Sequence, residues 1–456
     1  MVKPVIHARS ALLPSGWAND VFVSIGTDGR IESVGQTASD AGLQTVDILL
    51  PAPANVHSHA FQRAMAGLTE ARGPDVSDSF WTWRQLMFRF LDHLTPDDVQ
   101  AIAALVQMEM LESGYAAVGE FHYLHHQPGG APYADLGEMS TRICAAAEQT
   151  GIGLTLLPVL YSAGGVDGRA LGPGQVRFGN DAERFARLHA AAADALRSLP
   201  DDARLGVAPH SLRAVSAEAL RAVAAQASGP IHIHIAEQTA EIGEISAAYG
   251  ARPVEWLLDN VDVNDRWCLI HCTHMLPHET QNLAASGAVA GLCPITEASL
   301  GDGIFDGRRW LDHGGAISVG SDSNIRISLA EELRQLEYSQ RLRDRARAVL
   351  ATPEKSTARR AFDAICSGGA QAIDRPGGRI VPGALADLVA LDGAHPDLIG
   401  REGDTALDTW VFALDDRLVR DVWAAGRHMV QNGAHKDRDE IVAGYRATMT
   451  RLRDVL

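Results

Sequence analysis

His57 and His59 flank a single serine and directly follow the apolar run ILLPAPANV. On an extended strand, residues i and i+2 face the same side, so both imidazoles leave the backbone in one direction. Two neutral imidazoles converging on one point suit a divalent transition metal. Taken alone the pair says little, because two polar residues at any strand end look the same. Four more groups stand at the ends of other apolar runs: His234 in HIHIAE, with Glu237 three residues on, His271 in WCLIHC, and Asp322 in SVGSDSN. Imidazoles and carboxylates gathered at strand ends are costly to bury without a task.

Such groups need a scaffold that brings distant strand ends together. The middle of the chain carries eight apolar runs: DILLPAPANVHSH, YAAVGEFHYL, IGLTLLPVLY, RLGVAPHS, PIHIHIAE, WCLIHCTH, AVAGLCPIT and AISVGSDSN. Stretches of helical period lie between most of them, for example DAERFARLHAAAADALRSL and SAEALRAVAAQA. This alternation predicts an α/β chain with a (β/α)8 TIM-type barrel over residues 51–378, whose chemistry sits at the C-terminal strand ends. The polar residues collect at that end of the runs: His57, His59, His122, Tyr123, His210, His234, His271 and Asp322. The two chain ends differ from the middle. VFVSIGTDGRIESVG reads as a hairpin with Asp-Gly at its turn, and residues 379–395 and 417–430 read as strands. Residues 1–50 and 379–456 are therefore expected to pair into one small β-domain.

The 456 residues are 46% hydrophobic and 21% charged, a globular balance able to bury a large core. A formal net charge of −17 argues against nucleic acid binding over a broad surface. No apolar run approaches the length of a membrane span, and MVKPVIHARS lacks the apolar core of a signal peptide. The five cysteines are odd in number and scattered, which points to reduced thiols in a cytoplasm. Cys268 and Cys272 read as small hydrophobes packed in a strand. His232, two residues deeper than His234, reads as a satisfied core histidine. His125 and His126, in the loop HHQPGG, are expected to be solvated, and His274 to stabilise a loop. Arg326, in SNIR, could also reach the mouth, but an ion pair with Glu331 or Glu332 explains it as well, so neither it nor Glu120 is given a role.

Together HSH, HIAE, IHCTH and GSDS resemble the amidohydrolase superfamily, in particular its mononuclear-zinc deaminase branch. The resemblance spans almost the whole chain. The terminal segments, with GALADLVALD near the C-terminus, are similar to that family's composite β-sandwich. Where the family usually has Pro-Gly before the first histidines, this chain has Pro51-Ala52; glycine there serves the backbone, so the metal set is untouched. APHS on the fourth strand offers no lysine for a bridging carbamate, which favours one metal over two.

The resemblance implies one Zn2+, with Fe2+ or another divalent metal as substitutes, held by His57, His59, His234 and Asp322. Such a cation lowers the pKa of bound water from about 16 towards ~7. Asp322 would also accept the water's proton, Glu237 would pass a proton to the departing nitrogen, and His271 would stabilise charge at the tetrahedral centre. The implied substrate is a small acidic amidine that loses ammonia. Arg84 in WTWRQ and Arg213 in HSLR are the expected carboxylate forks, with Gln62, Tyr123 and His210 at the barrel mouth. The aromatic stretch FWTWRQLMFRFL, residues 80–91, is expected to be a lid or a subunit contact, and the family resemblance implies a homodimer. The same metal set serves guanine, cytosine and S-adenosylhomocysteine deaminases and chlorotriazine hydrolases. Two arginines at the mouth favour an acidic, acyclic substrate over these. A non-catalytic zinc-binding barrel would have no use for Glu237 and His271 beside the metal.

Overall fold

The computed structural model describes residues 4–37, 42–70 and 80–453, with the side chains of residues 80–82, Trp81 among them, outside the described set. The N-terminal segment forms β1 (Val5–Leu13), β2 (Gly16–Ile25), β3 (Ile31–Gly35) and β4 (Leu43–Pro51). The Asp28-Gly29 turn joins β2 to β3 in the expected hairpin.

The eight apolar runs each yield strand structure. They form β5 (Ala54–Ser58), β6 (Ala117–His122), β7 (Gly153–Leu160), a fourth position split into β8 (Arg204–Leu205) and β9 (Ala208–Pro209), then β10 (Ile231–Ile235), β11 (Trp267–His271), β12 (Val289–Leu292) and β13 (Ala316–Val319). Neighbours pair in parallel from β5 through β7 to β8 and β9, and again from β10 to β13. Parallel bridges Val207–Ile231 and Ser211–His234 join the two groups, and Ser58–Asp322 joins the outermost members. Every residue of β6, β7, β10 and β11 is buried. Parallel strands covered on both faces read as largely apolar runs, and the polar residues they do carry, such as His232 and Glu120, are buried with them.

The C-terminal strands are β14 (Leu388–Leu391), β15 (Val419–Ala424), β16 (Arg427–Gln431) and β17 (Ala434–His435). They join the N-terminal strands in one eight-stranded sheet of order β17-β16-β15-β14-β4-β1-β2-β3. β4 is the seam, parallel to β1 and antiparallel to β14, with Leu388 opposite Pro51. Three residues later the same chain enters β5, so the terminal sheet feeds straight into the inner strands. A buried ion cluster reinforces the junction: Arg375 donates to Asp387 at 2.6 Å and to Asp202 at 2.8 Å, and Arg427 donates to Asp202 at 2.7 Å.

Two helices follow β5. α1 (Phe80–Leu91) carries Arg84, and α2 (Pro96–Glu112) starts at a capping box in which Thr95 and Asp98 bond each other's backbone N–H. The final helix, Arg438–Arg453, packs on α2 and pairs Arg451 with Asp98. Among the described residues no helix is long and apolar enough to cross a membrane. All five cysteines are buried and unpaired.

Two loop expectations fail. His125 and His126 are buried, with ring nitrogens 3.1 Å from the carbonyl of Val159 and 3.0 Å from that of Gly179. The backbone of Arg177 folds over this loop and accepts both of their N–H groups. Arg326 is exposed, while Glu331 pairs with Arg334 and Glu332 accepts the N–H of Ile295. His232 behaves as a core histidine, its Nε2 2.7 Å from the carbonyl of Ala372, and His274 ties its loop to the carbonyl of Asp302 at 2.7 Å.

Candidate active site

The end of β5 and the segment after β13 touch through their backbones. Asp322 N–H donates to the carbonyl of His57 and His59 N–H donates to that of Asp322, each at 2.9 Å. Gly320 permits this approach, because a Cβ there would lie 2.6 Å from the backbone nitrogen of His57. Asn55 and Ser321 lock the same junction with a 2.7 Å bond, and Asn324 extends it to Ser58.

The side chains then converge. An Asp322 carboxylate oxygen lies 3.3 Å from His59 Nε2 and 3.6 Å from His57 Nε2, and His234 Nε2 lies 3.1 Å from His57 Nε2. The Nδ1 of His59 sits 3.0 Å from the carbonyl of Phe121, and that of His234 sits 3.1 Å from the carbonyl of His210. A carbonyl only accepts, so both rings carry their proton on Nδ1 and turn an Nε2 lone pair towards the cluster. Burial lowers all three imidazole pKa values, that of His59 to about 3, and so keeps the rings neutral. Buried lone pairs facing one another and a carboxylate are in conflict unless a cation stands among them. His57, His59 and His234 offer nitrogens that lie within 4.8 Å of one another, with the Asp322 carboxylate beside them, so the residues fit a divalent ion. Burial also pushes the Asp322 carboxyl up to about 7, with His271 opposing and Glu237 and Glu297 adding to the rise.

A second layer surrounds this cluster. His271 Nε2 lies 3.8 Å from both Glu237 and Asp322, and its Nδ1 lies 3.2 Å from Glu297. Burial alone would lower the His271 pKa, but Glu237, Glu297 and Asp322 together raise it to about 10, which favours the protonated ring. Glu237 also faces Arg213, at 3.7 Å. The chain adopts left-handed backbone at Ala236, His271, Cys272 and Asp322. For residues other than glycine this costs about 1 kcal/mol or more each, strain located where strand ends aim side chains at one point.

Gln62, Arg84, Tyr123, His210 and Arg213 all line the cavity above His59, His234, Glu237, His271 and Asp322. Gln62 donates to the Tyr123 hydroxyl at 2.6 Å, and His210 Nδ1 lies 3.0 Å from Ser211 Oγ. Trp83, Arg84 and Met87 of α1 form part of the wall. His122 does not line the cavity, since it alternates with Tyr123 and points to the other face of its strand. A larger groove near Arg204, Arg266 and Arg375 holds none of these residues.

Sequence reasoning missed three groups. Tyr161 lines the cavity, its hydroxyl accepting from Arg84 at 2.7 Å and Gln175 at 2.8 Å. It ends the run IGLTLLPVLY, the position already used elsewhere to nominate candidates. Glu297 supplies the polar group that the seventh run lacked, from the first turn of the helix Pro294–Leu300. Glu120, given no role, accepts the Ala60 N–H at 2.8 Å just past His59, and burial pushes its carboxyl up to about 7.

The amidohydrolase family model matches residues 48–429. The chain belongs to the amidohydrolase family. Residues 3–42 of this amidohydrolase match a model described as the N-terminal domain of formimidoylglutamate deiminase HutF. The amidohydrolase is 46% identical over 455 residues to a formimidoylglutamate deiminase of Pseudomonas aeruginosa, covering 98% of this chain and 99% of that protein. It is 28% identical over 393 residues to a 5-methylthioadenosine/S-adenosylhomocysteine deaminase of Natronomonas pharaonis, covering 81% and 79%. The crystal structure of an amidohydrolase from Brucella melitensis superposes with a TM-score of 0.93 at 48% identity, over 98% of this chain and 99% of that one. An adenosine deaminase from Xanthomonas campestris shares the fold at 22% identity, with a TM-score of 0.82 over 99% of each chain.

Proposed function

We propose that this amidohydrolase converts N-formimino-L-glutamate and water to N-formyl-L-glutamate and ammonia, a deimination in histidine degradation. The observation that carries the reading is the placement of Glu237. Its carboxylate stands 3.8 Å from His271 and 3.7 Å from Arg213, between the histidine cluster and a guanidinium. In this substrate the α-carboxylate is three bonds from the formimino carbon, so an arginine close to the proton carrier suits it. The 46% identity to a formimidoylglutamate deiminase over nearly the full length supports the same reaction.

His57, His59, His234 and Asp322 would hold one divalent cation, zinc as the first choice, though this donor set also accepts iron, cobalt or manganese. When bound, such an ion lowers the pKa of water towards ~7 and acts as a Lewis acid. The chain's own groups carry the rest. Asp322 accepts a proton from the water that attacks the formimino carbon. His271 Nε2 donates towards the oxygen of the tetrahedral centre. Glu237 hands a proton to the amidine nitrogen and takes back the hydroxyl proton of the tetrahedral centre as the C–N bond breaks, the carbonyl forms and ammonia departs. Arg213 and Arg84 grip the two carboxylates, with Gln62, Tyr123 and His210 orienting the chain between them. Trp83, Arg84 and Met87 support the reading of α1 as a cover over the site.

We read the eight inner strands as a closed (β/α)8 barrel over residues 51–378, supported by the bridges that link both groups of parallel strands. The sheet shared by the chain ends supports a composite β-sandwich domain of residues 1–50 and 379–456. We also propose a homodimer, and a reducing cytoplasm in keeping with five unpaired thiols.

The test is ammonia release by zinc-loaded protein from N-formimino-L-glutamate, with guanine, cytosine and N-formyl-L-glutamate in parallel. A kcat/KM above ~10⁴ M⁻¹s⁻¹ on the formimino compound alone is expected. Turnover of a nucleobase without it would overturn the substrate assignment.

A further inference from the structure

Resting on that reading, we propose that Arg169 completes the subsite for the outer, γ-carboxylate and so sets the preference for a dicarboxylate. The loop after β7 carries Tyr161 and, eight residues on, Arg169. Beyond Tyr161 a small side cavity is lined by Arg84, Tyr161, Arg169, Ser211, Arg213 and Glu244. Arg84, Tyr161 and Arg213 line the catalytic cavity too, whereas none of the clustered histidines borders the side cavity. It therefore extends the site in the direction away from the reacting end.

Among the described residues, the guanidiniums of Arg84, Arg169 and Arg213 border this space together with Glu244, so a carboxylate entering it meets N–H donors from more than one side. Arg213 is 3.7 Å from Glu237 and belongs to the reacting end, where the α-carboxylate must lie. The γ-carboxylate is two methylenes further out, which points to Arg84 together with Arg169. The local structure holds Arg169 there. Its Nε donates to the carbonyl of Gly164 at 3.2 Å, and Asp167 pairs with its Nη1 at 3.3 Å. Gly165 lets the guanidinium lie against the loop, because a Cβ at 165 would stand 2.4 Å from Arg169 Nη2. Its side chain is 60% exposed and borders the side cavity.

The experiment compares Arg169→Met with the wild type on N-formimino-L-glutamate and on its γ-amide, N-formimino-L-glutamine. Loss of one charge-assisted contact predicts a fall in kcat/KM of about 10- to 100-fold on the dicarboxylate, carried by KM. On the γ-amide the change should stay under about 3-fold; if turnover of the amide is too slow to follow, its Ki as a competitor is read instead. Gly165→Ala, which keeps Arg169 but displaces its guanidinium, should act in the same direction. An equal loss on both compounds would make Arg169 a loop anchor and overturn the proposal, as would no loss on either. A wild-type protein inert towards the dicarboxylate would instead overturn the deiminase reading, and this assignment with it.

Discussion

The backbone N–H of His59 donates to the carbonyl of Asp322 at 2.9 Å, and the Asp322 carboxylate returns to within 3.3 Å of Nε2 of the same histidine. One contact sets the register between the first and last inner strands, and the other uses that register to assemble the donor cluster. Asp322→Asn keeps the backbone contact and removes the charge. It should lose metal on dialysis and lower kcat/KM by at least about 10³-fold. Elemental analysis alongside ammonia release reads both quantities, and full zinc with full activity would contradict the assignment.

Glu237 and Glu297 hold His271 from opposite sides, and only Glu237 faces the cavity. Glu237→Gln should lower kcat by about 10²- to 10⁴-fold with KM little changed, the usual size of a general acid–base contribution. Glu297→Gln keeps an acceptor oxygen for His271 Nδ1 and for the Cys293 N–H but removes the charge. Its kcat should fall by about 10- to 100-fold. Both variants should retain about one equivalent of metal, and loss of metal would show that the two acids build the cluster instead.

Arg213→Met should act on binding and on chemistry together, since its guanidinium faces Glu237. A rise in KM combined with a lower kcat, about 10²- to 10³-fold in kcat/KM, is expected from losing a bidentate carboxylate contact near the reacting carbon. Arg84→Met should move KM alone, since Arg84 is tied to Tyr161 further out. Steady-state kinetics separates the two, and identical profiles would contradict the inner and outer assignment.

Asp202 predicts how stability follows pH. Burial opposes its ionisation, but Arg427 and Arg375 outweigh burial and hold its carboxyl below the usual value of 3.8. A carboxylate with a depressed folded-state pKa contributes stability above its unfolded pKa and loses it as pH falls through the folded value. The advantage of the wild type over Asp202→Asn should thus be full at pH 7 and shrink below about pH 4. Arg375→Met strands the buried Asp387 and should cost about 3–5 kcal/mol at pH 7. Urea unfolding at both pH values measures each effect.

The legible part of this chain follows from local periodicity. His57 and His59 were readable because strand geometry forces i and i+2 to one side, and eight apolar runs were readable because strands buried on both faces are mostly apolar along their length. His125 and His126 were misread because local polarity marks a loop but not what covers it, and here the cover comes from Arg177, some fifty residues on. Glu297 was invisible for a related reason. Its partner His271 lies 26 residues earlier, and nothing in CPITE distinguishes a helix-capping glutamate from one that charges an imidazole. Arg169 follows Gly164-Gly165 and Asp167 in GGVDGR, so in sequence it reads as an ordinary surface turn.

The sheet that unites both chain ends has a consequence for synthesis on the ribosome. β4 is complete once Pro51 has emerged, but its partner β14 begins only at Leu388, roughly 340 residues later. At about 5–20 residues per second the edge of β4 waits some tens of seconds for its neighbour. Throughout that interval a nascent chain exposes the apolar strand end ILLP with unpaired backbone groups, a template for pairing with other chains. Expression yield should therefore respond to chaperone supply and translation rate more than the stability of the finished protein would suggest.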